Sequence, residues 1–207
     1  SMKTKWKDGK NEMQVASPLS GVVSAMAPVD DVTISATPEI ESDMDTSILL
    51  IKLNDKTRLS GSIFSEVTET SYTETPDIDN VDDFRTMFTF MQEMISNHQI
   101  LAIHDISDGG LITTLLEMCF TKKIGMKMNI PLSSNTNEQL FSEESGFVIQ
   151  IKKDCVSSII NTFTVKGLIA RELGSLQDNN FSIFKEGTEL FKKSIIELEK
   201  VWRETSH

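Results

Sequence analysis

Short apolar runs constrain the fold of this chain more than any other feature. The clearest covers residues 47–53, where isoleucine and leucine cluster ahead of the turn-forming pair Asn54 and Asp55. This run is too short and too rich in β-branched residues for a helix, so it predicts a buried strand. Further strands are predicted at residues 100–103, 146–151 and 181–184. Because buried strands must pair their backbone groups, the chain is predicted to build a sheet.

The segments between these runs carry apolar residues at helical spacing. One helix is predicted to begin at Asn80, since an asparagine side chain accepts hydrogen bonds from the free amides of a first helical turn. The inward-facing residues of the three predicted helices are Phe84, Met87, Met91, Met94 and Ile95; Leu111, Leu115, Leu116 and Cys119; and Val156, Ile159, Ile160 and Phe163. This alternation predicts an α/β fold of the α+β type, with helices covering one side of the sheet.

The amino-terminal part of the chain has weaker patterns. Residues 1–16 are polar and are interpreted as an extended lead-in from a preceding domain. Small and apolar residues at 19–26 predict a buried strand, and alternating residues at 32–35 predict a short one. Residues 65–80 are rich in Thr, Ser, Glu and Asp, which predicts a long exposed loop.

The carboxyl-terminal stretch is predicted to be a helix. Its apolar residues Phe191, Ile195, Leu198 and Trp202 fall on one face, which we expect to dock on something outside this chain. The predicted organisation is therefore a lead-in at residues 1–16, a domain at 17–187 and a terminal helix at 188–207.

Charge and composition exclude several classes of protein. A net charge of −11 and a pI near 4.7 argue against nucleic-acid binding, which needs a basic face. No apolar run approaches the roughly 20 residues that span a bilayer, and the amino end lacks the apolar stretch of a signal peptide, so a cytoplasmic location is expected. The cysteines Cys119 and Cys155 form no CxxC pair and are expected to be apolar packing residues. The Cys and His residues are not spaced in pairs as in zinc sites, so no zinc site is predicted.

Residues 104–110 are the stretch that most suggests a ligand. They follow a predicted strand and open a predicted helix, which directs backbone amides toward solvent. Gly109 and Gly110 would let the backbone approach a phosphate, and Ser107 can donate a hydrogen bond to an anionic oxygen. Asp105 and Asp108 offer the hard oxygens that Mg²⁺ prefers. The alternative is an ordinary strand-to-helix turn with Asp108 as the helix cap, since neither the P-loop nor the Rossmann glycine pattern is present.

Residues 104–118, which read HDISDGGLITTLLEM, resemble the signature HD-x-SDGGL-x-x-TL-x-EM of large, single-chain phosphoribosylformylglycinamidine synthases. Other segments resemble the same family in the same order. Residues 1–6 are similar to the end of the preceding domain, 17–32 to the domain-opening strand, 141–150 to the FNEE-x-G-x-VIQ strand and 190–205 to the helix that leads into the glutaminase domain. The chain thus resembles the second AIR-synthetase-like carboxyl-terminal domain of these enzymes, which implies a mixed, mostly antiparallel sheet.

The resemblance implies a function for the longer protein. Such enzymes use ATP and glutamine to convert formylglycinamide ribonucleotide into the amidine during purine biosynthesis. ATP and Mg²⁺ are the implied cofactors, with Asp105 as a metal ligand, Ser107 as an ATP contact, and Gly109 and Gly110 in the nucleotide loop. His104 and Asp108 match the motif but are expected only to shape the loop. No catalytic residue is assigned. The implied partners are an ATP-type domain and a glutaminase domain of the same polypeptide, so the chain alone is expected to be inactive.

Some residues depart from the family pattern or leave other interpretations open. Residues 58–67 stand where the family usually has a glycine-richer segment, which leaves the role of this loop open. Glu143 and Glu144 match the family but are interpreted as solvated or structural carboxylates. Two alternatives remain. The first is another ATP-dependent enzyme of the same superfamily, such as aminoimidazole ribonucleotide synthetase, a thiamine-phosphate kinase or a selenophosphate synthetase. The second is a noncatalytic interaction module that kept the fold.

Overall fold

The computed structural model describes residues 3–17, 22–29, 31–130 and 135–204, and the chain divides into two compact units, Ser1–Val32 and Thr33–His207. In the first unit, β1 (Lys3–Asp8) and β2 (Asn11–Ala16) pair as an antiparallel hairpin rather than forming a single extended lead-in. The strand predicted at 19–26 is wrong over its described part, because residues 22–29 form no regular structure and Val22 and Met26 are both 98% exposed. Residues 18–21 lie outside the described residues.

The second unit alternates helices and strands along most of its length. Its elements are β3 (Thr46–Lys52), α1 (Ile63–Val67), α2 (Val81–Ser96), β4 (Ala102–Asp105), α3 (Gly110–Phe120), β5 (Gly125–Asn129), α4 (Thr136–Phe141), β6 (Gly146–Lys152), α5 (Val156–Val165), β7 (Ile169–Gln177), β8 (Asn180–Lys185), β9 (Thr188–Ser194) and α6 (Ile195–Glu204). None of the helices in the described ranges is long and apolar enough to cross a membrane. The strand predicted at 32–35 is a turn, and α1 interrupts the loop predicted at 65–80.

The strands of this unit form one seven-stranded sheet in the order β4-β6-β3-β7-β5-β8-β9. Neighbouring strands are antiparallel except for β5 and β8, which are parallel. The predicted α+β fold with a mixed, mostly antiparallel sheet is therefore confirmed. β3 lies between β6 and β7, and every one of its residues is buried, as its apolar run predicts.

Helices cover both faces of the sheet, so the prediction of one covered face is wrong. Ile48 and Leu50 of β3 pack into a core with residues of α3, α4 and α6. Leu49 and Ile51, which alternate with them, pack into a second core with α2 and α5. Because successive side chains of a strand point to opposite faces, an uninterrupted apolar strand needs cover on both sides.

The predicted helices otherwise have their expected inward faces. The Asn80 side chain accepts hydrogen bonds from the amides of Asp82 and Asp83 at 2.9 and 3.4 Å, which confirms it as the N-cap of α2. Met87, Met91 and Met94 of this helix are buried in the second core. The methionine stripe is therefore core packing.

The carboxyl-terminal prediction needs two corrections. Residues 188–194, predicted to be helical, form β9 and pair with β8, so the helix begins only at Ile195. Its apolar face packs within this chain, since Ile195 is fully buried in the first core and Leu198 packs against the same core. The Trp202 ring is tilted against Phe120 of α3 with centroids 5.6 Å apart.

Candidate functional site

The loop between β4 and α3 presents three polar side chains to solvent. β4 ends at Asp105, and the backbone N–H of the following Ile106 donates to the Gly146 carbonyl at 3.0 Å, which fixes the loop to β6. Asp105, Ser107 and Asp108 are all exposed, and the Asp105 side chain keeps 67% of its surface accessible. The structure therefore brings the predicted metal ligand and the predicted ATP contact together on one accessible loop.

The two glycines of this loop already have internal roles. The Gly109 N–H donates to Glu143 Oε1 at 2.9 Å, and the Gly110 N–H donates to the Ser107 carbonyl at 3.0 Å. A Cβ atom at Gly110 would lie 2.6 Å from the Phe141 carbonyl carbon, so helix α3 can approach α4 only with glycine there. These amides are satisfied within the protein, and a nucleotide role for the glycines stays a prediction. Asp108 does not cap α3, because the cap position is Gly109 and makes no side-chain hydrogen bond.

The Glu143 carboxylate joins this loop to the beginning of α1. Its Oε1 atom accepts from the N–H of Ile63 and from that of Gly109, each at 2.9 Å. The loop segment that departs from the family pattern and the predicted ligand loop therefore share one carboxylate oxygen. Glu143 therefore holds the backbones of two segments together, which agrees with its interpretation as a structural carboxylate.

Glu144 points into the protein and pairs with Arg58. The guanidinium Nη2 lies 2.7 Å from Glu144 Oε2, and the side chains are 9% and 4% exposed. Hydrogen bonding to Glu144 raises the pKa of Arg58 above its ordinary value. Sequence reasoning missed this partner, because the two residues are 86 positions apart and no local pattern signals their contact.

His104 begins a chain of polar contacts that runs from the loop to α6. Its Nδ1 atom lies 2.8 Å from the Asp105 carbonyl oxygen and 3.4 Å from Asp105 Oδ1. Its Nε2 atom lies 3.2 Å from Glu117 Oε2, on α3. The other oxygen of Glu117 accepts from the Trp202 indole N–H at 3.2 Å. The motif spacing predicted neither the Glu117 contact nor the Trp202 contact.

The oxygen ligands of this loop fit a magnesium ion whose remaining coordination positions are filled by other groups. Mg²⁺ commonly takes one or two carboxylates together with phosphate oxygens and water, and Asp105 offers one accessible carboxylate beside the hydroxyl of Ser107. Within the described residues, no group of three or more His, Cys, Asp or Glu side chains is placed to hold a metal ion. The fit therefore depends on oxygens from a nucleotide or another domain.

The cysteines lie away from this chemistry. Cys119 is buried in the first core, where loss of hydration raises the pKa of its thiol to about 12. Such a thiol is a poor nucleophile at neutral pH. Cys155 is half-buried before α5 and donates to Asp154 Oδ1, a contact that also raises its pKa.

Comparisons with solved structures show which folds this chain is similar to. PurL of Thermotoga maritima complexed with FGAR is 11% identical, with a TM-score of 0.68 over 81% of this chain and 30% of that chain. PurL of T. maritima complexed with ATP is 13% identical, with a TM-score of 0.61 over 81% of this chain and 27% of that one. The hydrogenase maturation protein HypE in complex with ATP is 11% identical, with a TM-score of 0.55 over 79% of this chain and 54% of that one.

The chain spans less than a third of the length of these PurL structures, and at such identities the likeness is one of fold. A sequence family provides the more specific match. The family described as AIR synthase related protein, C-terminal domain, matches residues 46–185, a range that runs from β3 to β8 and includes the whole candidate loop. Because this match covers more than half of the chain, the chain belongs to this family, the C-terminal domains of AIR synthase related proteins.

Proposed function

We propose that this chain is one domain of a phosphoribosylformylglycinamidine synthase, in which it helps to hold the ATP used to activate formylglycinamide ribonucleotide. Membership of the AIR synthase related family supports this, as does the likeness in fold to PurL structures complexed with ATP and with FGAR. The ordered resemblance of residues 104–118, 141–150 and 190–205 to the large single-chain enzymes favours the second carboxyl-terminal domain.

The observation that carries the proposal is the joint exposure of Asp105 and Ser107 at the end of β4. Asp105 would hold Mg²⁺ through its carboxylate, and the Ser107 hydroxyl would donate to a phosphate oxygen. When bound, Mg²⁺ neutralises phosphate charge and so favours attack at the terminal phosphorus. The contacts of Ile106 and Gly109 to fixed partners keep the two side chains in place.

The remaining active-site groups are proposed to come from other domains of the same polypeptide. An ATP-type domain would complete the nucleotide site, and a glutaminase domain would supply ammonia in the cytoplasm. On this proposal the purified 207-residue chain does not form amidine by itself. Amidine formation by that chain alone would contradict the proposal that other domains supply the remaining active-site groups.

The direct test replaces Asp105 in the complete protein that contains this chain. We expect Asp105→Ala to weaken Mg·ATP binding by more than about 10-fold and to reduce amidine formation with it, because the metal loses a ligand. Calorimetric titration with Mg·ATP and a product assay measure the two effects. Asp82→Ala is the control, since it removes a carboxylate that is 90% exposed on α2, outside this loop, and should leave both nearly unchanged. If Asp105→Ala kept wild-type binding and activity, the loop would be an ordinary strand-to-helix turn and the site assignment would be wrong. The family membership would not be affected.

A second candidate is another ATP-dependent enzyme of the same family. The likeness in fold to HypE in complex with ATP favours it over a noncatalytic module. Nucleotide binding that needs Asp105 but does not respond to formylglycinamide ribonucleotide would support this candidate. Absence of nucleotide binding in the complete protein would instead support the noncatalytic module.

A further inference from the structure

We propose that His104 and Glu117 are positioning residues for Asp105, and that Trp202 of α6 holds Glu117 in place. The inference rests on the proposed function, because it concerns how the metal ligand of that site is oriented. The contacts form an unbroken series from the exposed loop through α3 to the last helix, with steps of 2.8, 3.2 and 3.2 Å.

His104 contacts both the backbone and the side chain of Asp105. Its Nδ1 atom is 2.8 Å from the carbonyl oxygen and 3.4 Å from Oδ1 of that residue. Thr114 Oγ1 lies 3.3 Å from the same carbonyl oxygen, so the peptide after Asp105 is held from two directions. The His104 ring itself is 16% exposed and therefore has little freedom to turn away. Fixing this ring limits the positions that the exposed carboxylate can take.

Glu117 uses a different oxygen for each of its two partners. Oε2 faces His104 Nε2, and Oε1 accepts from the Trp202 indole N–H. Glu117 thus offers one oxygen to each partner, and an alanine at this position would remove both contacts. Glu117 is therefore suited to link the histidine with the indole.

Trp202 is anchored independently of the loop. Its ring packs against Phe120, and α6 begins at the fully buried Ile195. The far end of the contact series thus rests on a helix that is fixed in the first core. Groups that hold a metal ligand commonly change metal affinity by 10–100-fold when they are removed. Contacts that only joined β4, α3 and α6 would change stability and leave metal affinity unaltered, so the experiment measures the two separately.

The experiment measures ATP binding to the complete protein by calorimetry over a series of free Mg²⁺ concentrations. In Glu117→Ala, which removes both contacts, we expect the half-saturating Mg²⁺ concentration to rise roughly 10-fold, with ATP binding restored at saturating Mg²⁺. Trp202→Phe keeps a ring against Phe120 but removes the N–H donor, and should cause a smaller rise in the same direction. Because the indole is half-exposed, this second variant is expected to fold even if Glu117→Ala does not.

Glu199→Ala is the matched control. Glu199 lies in the same groove between α3 and α6, but it pairs with Arg203 at 2.6 Å and with Lys123 at 3.9 Å rather than with His104 or Trp202. Its replacement should leave the Mg²⁺ dependence unchanged. The double variant Asp105→Ala/Glu117→Ala should bind no more weakly than Asp105→Ala, because the positioning acts through Asp105.

The outcomes separate this inference from the function on which it rests. If Asp105→Ala shifts the Mg²⁺ curve while Glu117→Ala and Trp202→Phe lower only the melting temperature, the contact series is structural and the inference is wrong. If Asp105→Ala itself leaves the Mg²⁺ curve unchanged, the proposed metal site is wrong and the inference falls with it.

Discussion

Arg58 lies where several distant segments of the chain meet. Its guanidinium contacts Glu144, Asp79 Oδ2 at 3.0 Å and the Asp77 carbonyl at 2.9 Å. The Ser142 hydroxyl donates to the Arg58 carbonyl at 3.1 Å, which adds a backbone link to the same segment. Since Glu144 is almost fully buried, its charge depends mainly on this guanidinium for compensation, with a further Coulombic interaction from the buried Lys52. The pair therefore holds the 58–67 segment, which departs from the family pattern, close to the start of β6.

Replacing Arg58 should cost much more stability than replacing its neighbour Lys56. We expect Arg58→Met to lower the free energy of unfolding by about 3 kcal/mol, because it removes both side-chain hydrogen bonds to the buried Glu144 carboxylate. Lys56→Met is the control, since Lys56 pairs with the same Asp79 but is 49% exposed and should matter far less. Urea denaturation followed by circular dichroism measures both. Equal losses in the two variants would mean that the buried pair contributes no more than a surface one.

At the scale of elements, helix α3 begins with an unusual backbone conformation. Gly109 and Gly110 have φ of 85° and 71°, a left-handed region that other residues enter at a cost. Gly110 also packs directly against the Phe141 backbone at the end of α4. The contact between the Gly110 and Phe141 backbones therefore fixes where α3 begins, and with it the position of the candidate loop.

Gly110→Ala should be far more destabilising than an alanine at a glycine with the same φ in open space. Gly167 supplies that comparison, with φ of 76° and no atom within 4 Å of an added Cβ. We expect Gly167→Ala to cost about 1 kcal/mol through backbone strain alone. In Gly110→Ala the clash with Phe141 adds to that strain and should more than double the loss. Thermal unfolding of the two variants measures the difference, and similar melting temperatures would show that α3 can shift to relieve the contact.

The elements that the sequence predicts well are those whose pattern matches their final environment. β3 is apolar throughout and buried throughout, and α2 has both a capping asparagine and an apolar stripe. β9 was predicted to be helical because Phe191, Ile195, Leu198 and Trp202 follow helical spacing. Pairing with β8 decides otherwise, since Phe191 lies opposite Ile183 in the sheet. Local spacing cannot show that a strand partner is available.

In the candidate site, too, local features were predictable from the sequence and long-range contacts were not. Asp105 and Ser107 lie two positions apart, so their presence on one loop follows from the motif. The contacts that shape the site join His104 to Glu117 across 13 positions and Glu117 to Trp202 across 85. Tertiary packing alone creates such pairs. The motif predicted the exposed groups and a loop-shaping role for His104, while the contacts of Glu117 with His104 and with Trp202 required the structure.

At the scale of the whole molecule, the sheet defines how much chain the fold requires. The family match ends at residue 185, and the sequence patterns placed a domain boundary at 187. The sheet continues beyond both, because β9 pairs with β8 over residues 188–194. The Ile195 N–H then donates to the Asn179 carbonyl at 2.9 Å, and its side chain is fully buried. The last strand and helix are therefore integral to the first core.

Removing residues 188–207 should consequently unfold the second unit, whereas removing residues 1–32 should not. Loss of the buried Ile195 side chain alone is expected to cost about 2–5 kcal/mol, against a typical total stability of about 5–15 kcal/mol, and the deletion also removes β9 and exposes Phe120. Residues 1–32 form a separate compact unit, so their deletion is the matched control and should retain one cooperative transition in urea. Ile195→Ala should lie between the two. A cooperative transition in the chain that lacks residues 188–207 would place the end of the folding unit at β8, where the family match also ends.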